Sequence, residues 1–284
     1  MLRANISVAR PAAPRAPRLA LLTYATPGYQ AQQRSVIHSA RRAGFTDLLT
    51  WDRPRLERTD FYAQHRALLD RRKGGGLWLW KPFLIERELQ QLDAGDFLVY
   101  SDCGYPWRPL VIRRSLEPLL RWCAEENRGL LPGVYVPKHG CNRKWTKREC
   151  FIAMHCDSEP YWRLPQIQAT FSVWQKCPPA EAFVAEWLRW CVQPVALSDE
   201  RVMPDIREHG DFVDHRYDQS VLTNLAALRG VRCFGPPGEV SPGTKCIDNL
   251  TDRIAGRRWR IRMRNLSRRL VGETRKLWMK SRGL

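Results

Sequence analysis

The sequence predicts a single α/β domain, and three observations carry that prediction. Leu19 to Ala25 is a short apolar run of strand length, followed by a turn at Pro27-Gly28, a helical stretch from Tyr29 to Ala43 closed by Gly44, and a second strand from Thr46 to Trp51. The glycine loop Gly74-Gly75-Gly76 then precedes a helix opened by Pro82, a turn at Asp93-Ala94-Gly95-Asp96 and the apolar strand Phe97 to Tyr100. With 284 residues, 44% hydrophobic and 27% charged, the chain is long enough to bury one large core.

Downstream elements follow from the same patterning. Asp60 to Arg72 is a polar helical stretch, Leu116 to Glu126 an amphipathic helix and Leu131 to Val136 a strand. Thr146-Lys147-Arg148-Glu149 has the Thr-x-x-Glu form of a capping box. Gln166 to Gln175 alternates as a strand, and Ala180 to Cys191 forms a helix burying Phe183, Val184, Trp187 and Trp190. Asp218-Gln219-Ser220 opens a last core helix that runs through Leu228 and closes at Gly230, with Asp218 suited to its N-cap.

The formal net charge of +18 sits mainly at the two ends. Arg253 to Leu284 holds 12 basic residues and one acid, and Met1 to Arg18 adds four arginines without an acid, which leaves only +3 for residues 19–252. Residues 1–18, rich in Ala, Pro and Arg, read as a disordered leader, 19–252 as the folded domain and 253–284 as a basic amphipathic tail. In the tail, Trp259, Met263, Leu266, Leu270 and Leu277 fall at helical spacing among arginines, a pattern suited to an anionic membrane surface. A solvated basic helix or an RNA-binding tail has the same pattern. Nine cysteines, an odd number with no Cys-x-x-Cys pair, argue against a zinc site or a disulfide framework and for reduced core residues in a cytoplasmic protein. No apolar run reaches the length that spans a bilayer.

Candidate functional residues cluster at strand and helix ends. Asp102 stands at the carboxyl end of an apolar strand, where open α/β sheets bind ligands, with Gly104 beside it to let a substrate approach the backbone. Thr23 and Tyr24 occupy the equivalent end of the first strand. Lys81 follows the glycine loop and two tryptophans, in reach of a phosphate. Gln166 and Gln168 share one side of a strand, where buried amides require partners such as sugar hydroxyls. Trp107 and Trp162 are candidate stacking platforms.

Four segments together give a resemblance: Gly76-Leu77-Trp78-Leu79-Trp80-Lys81-Pro82, Tyr100-Ser101-Asp102-Cys103-Gly104, Gln166-Ile167-Gln168-Ala169 and Asp218-Gln219-Ser220. In this order the chain, from about Leu19 to Val231, resembles the nucleotide-diphospho-sugar transferases of the GT-A fold, particularly bacterial surface-polysaccharide enzymes. The resemblance implies a Rossmann-like mixed sheet flanked by helices, and a sugar moved from a nucleotide-sugar donor to a capsule- or lipopolysaccharide-type glycan or lipid-linked glycan. It places Thr23 and Tyr24 near the nucleotide, Lys81, Asp102 and Gly104 near the phosphates, Gln166 on the donor strand, and Gln168, Asp218 and Gln219 near the transferred sugar. A divalent metal, Mn or Mg, is implied at Asp102. Glycogenin-like members end this strand in Asp-x-Asp, however, and here Gly104 replaces the second carboxylate. His215 could complete such a site with Asp102, or Lys81 and Lys147 could neutralise the diphosphate without metal. Peripheral attachment to the inner face of the cell membrane would suit a lipid-linked acceptor. The competing expectations are a non-catalytic basic nucleic-acid-binding protein and a degenerate transferase that only binds sugar nucleotide.

Overall fold

The apolar runs form the strands expected of them. In the computed structural model, which describes residues 15–105, 108–112, 115–135, 140–233 and 247–249, β1 (Leu19–Ala25), β2 (Asp47–Asp52) and β3 (Phe97–Ser101) are parallel neighbours. The segments Gly104–Tyr105 (β4) and Arg108–Ile112 (β5) pair antiparallel beyond the end of β3. Leu130–Leu131 (β6), Val134–Tyr135 (β7), Ile167–Gln168 (β8), Phe171–Gln175 (β9) and Ile247–Asn249 (β10) complete the strands among the described residues. The main sheet has the order β2-β1-β3-β9-β6, with β9 antiparallel to both β3 and β6. This is the mixed α/β sheet flanked by helices that the sequence predicts.

Strand side chains alternate between two cores. Leu22, Tyr24, Leu98, Tyr100 and Trp174 pack on one face, while Leu21, Val99 and Val173 pack on the other. Both faces are therefore covered, which is why β1 and β3 read as nearly continuous apolar runs. The second face is closed by α1 (Gln30–Arg42) and by a later helix, Glu117–Glu126, through Val36, Ala40, Leu119 and Cys123. Between β2 and β3 the chain runs through the short helices α2 (Arg53–Glu57), α3 (Asp60–Gln64) and α4 (Arg66–Leu69), a glycine turn at Gly74–Leu77 (α5), and α6 (Trp80–Gln90). Glu117–Glu126 is then α7, followed by α8 (Arg148–Ala153), α9 (Glu159–Trp162), α10 (Pro178–Cys191), α11 (Pro194–Leu197) and α12 (Tyr217–Leu228). Helix α10 packs between α6 and α12 on the first face, with Trp187 fully buried against Trp174.

Four local expectations are corrected. Residues 15–18, assigned to the leader, are held to the domain: buried Asp96 accepts from Arg18 N at 2.8 Å and Arg18 Nε at 2.9 Å, and pairs with Arg15 at 2.9 Å. Residues 1–14 and the tail 253–284 lie outside the described residues. The strand expected over Gln166 to Gln175 is broken into β8 and β9, because β8 leaves β9 to pair with β7. The capping box does not form: Thr146 Oγ1 donates to Asn142 Oδ1 at 2.7 Å, and Glu149 accepts from the backbone of Val202 and Met203. Asp218 lies inside α12, whose cap position is Arg216. The eight described cysteines are free thiols.

The glycine turn has a backbone that only its sequence tolerates. Gly74, Gly75, Gly76, Leu77 and Trp78 are consecutive left-handed residues, with φ of 61°, 60°, 110°, 54° and 57°. A Cβ at Gly76 would stand 2.7 Å from the Leu69 carbonyl oxygen and 2.8 Å from its Cα, backbone atoms that cannot swing aside. Gly76→Ala is expected to lose about 2 kcal/mol of stability, read by chemical denaturation; an unchanged midpoint would mean that the turn relaxes at no cost.

Candidate active site

The carboxyl ends of β1 and β3 open into a cavity of about 1290 Å³. Its walls come from the β1 exit (Tyr24, Thr26), the glycine turn with Trp78 and Trp80, the β3 exit (Asp102 to Gly104), the link between β8 and β9 (Gln168 to Thr170), and the start of α12 (Tyr217 to Gln219). The left-handed turn sets the aromatic wall. It aims Trp80 Nε1 back at the Gly74 carbonyl, 3.0 Å away, and lays the Trp80 ring against Tyr24 with centroids 4.0 Å apart.

Lys81 lies at the base of the cavity, only 3% exposed. Its ammonium donates to the Ala169 carbonyl at 2.9 Å and stands 3.3 Å from Asp218 Oδ2 and 3.5 Å from Asp102 Oδ1. Burial works against the charged ammonium, but Asp102 and Asp218 outweigh it and hold the Lys81 pKa above its ordinary value. Asp218 is equally buried: loss of water pushes its carboxyl up to about 6, with Lys81 opposing and Asp102 adding to the rise. Asp102 is more open, and Tyr100 OH donates to the same Oδ1 that faces Lys81. Asp102 Oδ2 has no protein partner among the described residues.

Three buried polar atoms on this wall lack a hydrogen bond among the described residues: Tyr24 OH, Thr170 Oγ1 and Asp218 Oδ2, the last lying near Lys81 without hydrogen-bond alignment. Buried polar atoms are ordinarily satisfied, so a set of orphans on one cavity wall marks where a ligand rich in hydroxyl or amide groups would bind. Burial also pushes the Tyr24 phenol up to about 12, so it is a neutral donor at physiological pH.

The structure brings together Tyr24, Lys81, Asp102, Gly104, Gln168, Asp218 and Gln219 on this wall, and removes four other candidates from it. Thr23 is fully buried with its hydroxyl against Cys103 Sγ. Gln166 is fully buried: its amide reaches the Trp145 carbonyl at 3.2 Å and accepts from Gln219 Nε2 at 2.9 Å, so it orients Gln219 rather than a sugar. Lys147 is spent on Glu149 at 3.1 Å and on the Glu200 carbonyl. Trp162 packs on His209 and donates to Asp157, outside the cavity. Trp107 lies outside the described residues.

His215 touches the cavity, but both of its ring nitrogens are engaged. Nδ1 accepts from Lys147 N–H at 3.2 Å, which leaves Nε2 to donate to the Ala196 and Leu197 carbonyls at 3.0 and 3.1 Å. No nitrogen lone pair remains for a metal. Gly104 brings no side chain, one oxygen each of Asp102 and Asp218 faces the Lys81 ammonium, and no cluster of three or more His, Cys, Asp or Glu suited to a metal exists among the described residues. The donor set therefore does not fit a protein-held divalent ion.

Sequence reasoning missed the basic arm Arg71-Arg72-Lys73, which leads into the glycine turn and lines the cavity mouth. Arg71 pairs with Glu200, and Lys73 stands 3.4 Å from Asp214 and over the Tyr217 ring. Arg72 is exposed and has no ion-pair partner among the described residues. Three bases running directly into three glycines were the available signal.

The fold and site define an α/β protein with a mixed sheet and a ligand crevice at the carboxyl ends of its parallel strands. No protein-family model matches the chain, and no curated protein is similar to it in sequence. Among solved structures, the bifunctional glycosyltransferase WbbM in its apo form is similar with a TM-score of 0.41 and 11% identity, over 74% of this chain and 37% of WbbM. An active-site mutant of LgtC is similar with a TM-score of 0.38 and 15% identity, over 76% of this chain and 72% of LgtC. The chain thus spans little more than a third of WbbM. No helix among the described residues is long and apolar enough to cross a membrane.

His215 gives the site a pH signature. Burial, with Lys147 nearby, lowers its pKa to about 3, whereas an unfolded histidine titrates near 6.5. Between those values the unfolded chain binds the extra proton, so this residue's contribution to stability is full above 6.5 and is lost as pH falls, by about 1.4 kcal/mol per unit. Asp218 acts with opposite sign between 3.8 and about 6, so the readout is a difference between proteins. Melting temperatures from pH 7 to 4.5 should fall more steeply for wild type than for His215→Gln; parallel slopes would contradict the assignment.

Proposed function

We propose that the chain is a glycosyltransferase that takes a sugar from a nucleotide-sugar donor to a surface-glycan acceptor of capsule or lipopolysaccharide type. The observation that carries this reading is the convergence on Lys81. The four segments behind the sequence resemblance lie far apart in the chain, yet Lys81 of the first contacts Asp102 of the second, Ala169 of the third and Asp218 of the fourth. Chance polar residues at strand ends would not meet at one ammonium. The orphaned Tyr24 OH and Thr170 Oγ1 supply a further argument, since a donor rich in hydroxyls and amides would satisfy them.

Within this reading the Tyr24–Trp80 wall borders the nucleotide, and Gln168, Asp218 and Gln219 border the transferred sugar. Asp102 offers the donor its open carboxylate oxygen. The basic amphipathic pattern of residues 253–284 supports contact with an anionic membrane surface on the cytoplasmic side, where a lipid-linked acceptor would be met.

The test is a panel of UDP-, GDP- and CMP-sugars, scored by rise in melting temperature and by donor turnover. One donor should both stabilise and turn over, and Asp102→Asn should cut kcat by about 100-fold while the protein still melts cooperatively. Because Asp218 titrates near 6, turnover should decline as pH drops through that value. A protein stabilised by none of these donors does not have this function, and one stabilised without turnover is a binder only.

A further inference from the structure

Resting on the transferase reading, we infer that this site handles its diphosphate without a divalent metal, using fixed cations instead. The ammonium of Lys81 already fills the position between Asp102 and Asp218 that a bridging cation would take, 3.5 Å from one carboxylate and 3.3 Å from the other. An ion bridging these acids would have to share their oxygens with a buried positive charge, since Lys81 is 3% exposed and donates to the Ala169 carbonyl at 2.9 Å. His215 has no free nitrogen, and Gly104 contributes no ligand. The remaining open oxygen, Asp102 Oδ2, is suited to accept from a donor hydroxyl.

Lys81 faces two carboxylates with a single positive charge, so this cluster has no charge to spare for phosphate. That task falls to the arm at the cavity mouth. The described cavity wall carries six Arg and Lys residues against four aspartates, with Arg71 and Arg53 also paired to Glu200 and Glu57 off the wall. Arg72 is the arm's cation with no ion-pair partner among the described residues, and Lys73 and Arg71 flank it.

The experiment uses the full chain, first treated with EDTA. Thermal shift is measured in EDTA and in Mn2+ with UDP- and GDP-sugars, which carry a diphosphate, and with CMP-sugars, which carry a single phosphate so that stabilisation by them alone overturns the diphosphate reading; Mn2+ binding to the protein alone is followed by electron paramagnetic resonance. The inference expects one donor to stabilise the protein equally in both conditions, the Mn2+ signal to stay that of the free ion, and Arg72→Ala to weaken that donor about 10-fold or more in EDTA. Stabilisation that requires Mn2+, or a protein-bound Mn2+ signal, overturns the metal-free site and leaves the transferase reading intact. Donor affinity unchanged by Arg72→Ala overturns the role given to the arm. Failure of every sugar nucleotide in both conditions removes the transferase reading and this inference with it.

Discussion

A lysine ammonium buried out of reach of water is held charged only by what surrounds it, and in this protein the surroundings are drawn from three other parts of the chain. Without Asp102 and Asp218, burial would drive Lys81 toward its neutral form. With them, its pKa stands above the ordinary value, and the cost of desolvation is offset by two carboxylates and a carbonyl. The dependence runs both ways. Asp218 is as buried as Lys81, and its carboxyl stays ionised at neutral pH largely because that cation is beside it. Taking one member from such a cluster leaves an uncompensated buried charge, which costs far more than the cluster contributes when whole. The geometry of β3, α6, α12 and the β8–β9 link is thus constrained jointly, and the cavity they line inherits a fixed floor.

The left-handed turn serves that floor from the other side. Two of its five residues, Leu77 and Trp78, carry side chains in a conformation that costs each of them about 1–2 kcal/mol. The return is positional: the chain reverses tightly enough that Trp80 and Lys81 both face the cavity, one as part of its aromatic wall and one at its base. Strain of this kind persists where surrounding packing over-determines it, and here the Leu69 backbone against Gly76 and the Tyr24–Trp80 stack do so.

These physical relations explain what could be read in advance. Strands β1 and β3 were legible because both faces of the sheet are covered, leaving little but apolar residues in sequence. Asp102, Lys81 and Asp218 were legible because they are charges set at the ends of apolar elements. Thr23, Gln166 and His215 looked equally promising and turned out to be internal fittings, since a polar residue in an apolar stretch announces only that it has a partner. Whether the partner is Cys103, Ser220, a backbone carbonyl or a substrate depends on contacts 18 to 80 residues away. The capping box failed in a related way: Thr146 took Asn142 four residues back, and Glu149 took the distant backbone of Val202 and Met203. Arg71 to Lys73 went unnoticed because a run of bases has the look of a solvated helix face until the turn after it is seen to fold them over a crevice.

Charge distribution ties the chain's most conspicuous compositional feature to the site by an unexpected route. The excess of +18 suggests a polyanion-binding protein, yet the ends account for most of it and residues 19–252 keep only +3. Of that small remainder, the described cavity wall holds an excess of two. The rest of the folded domain is therefore close to neutral in formal charge. A surface evolved to hold RNA would spread its bases over a face or stripe of the domain. Placing Arg71, Arg72 and Lys73 at the mouth of a crevice whose floor is an Asp-Lys-Asp cluster favours a small anion with polar groups attached, which is the shape of a sugar nucleotide.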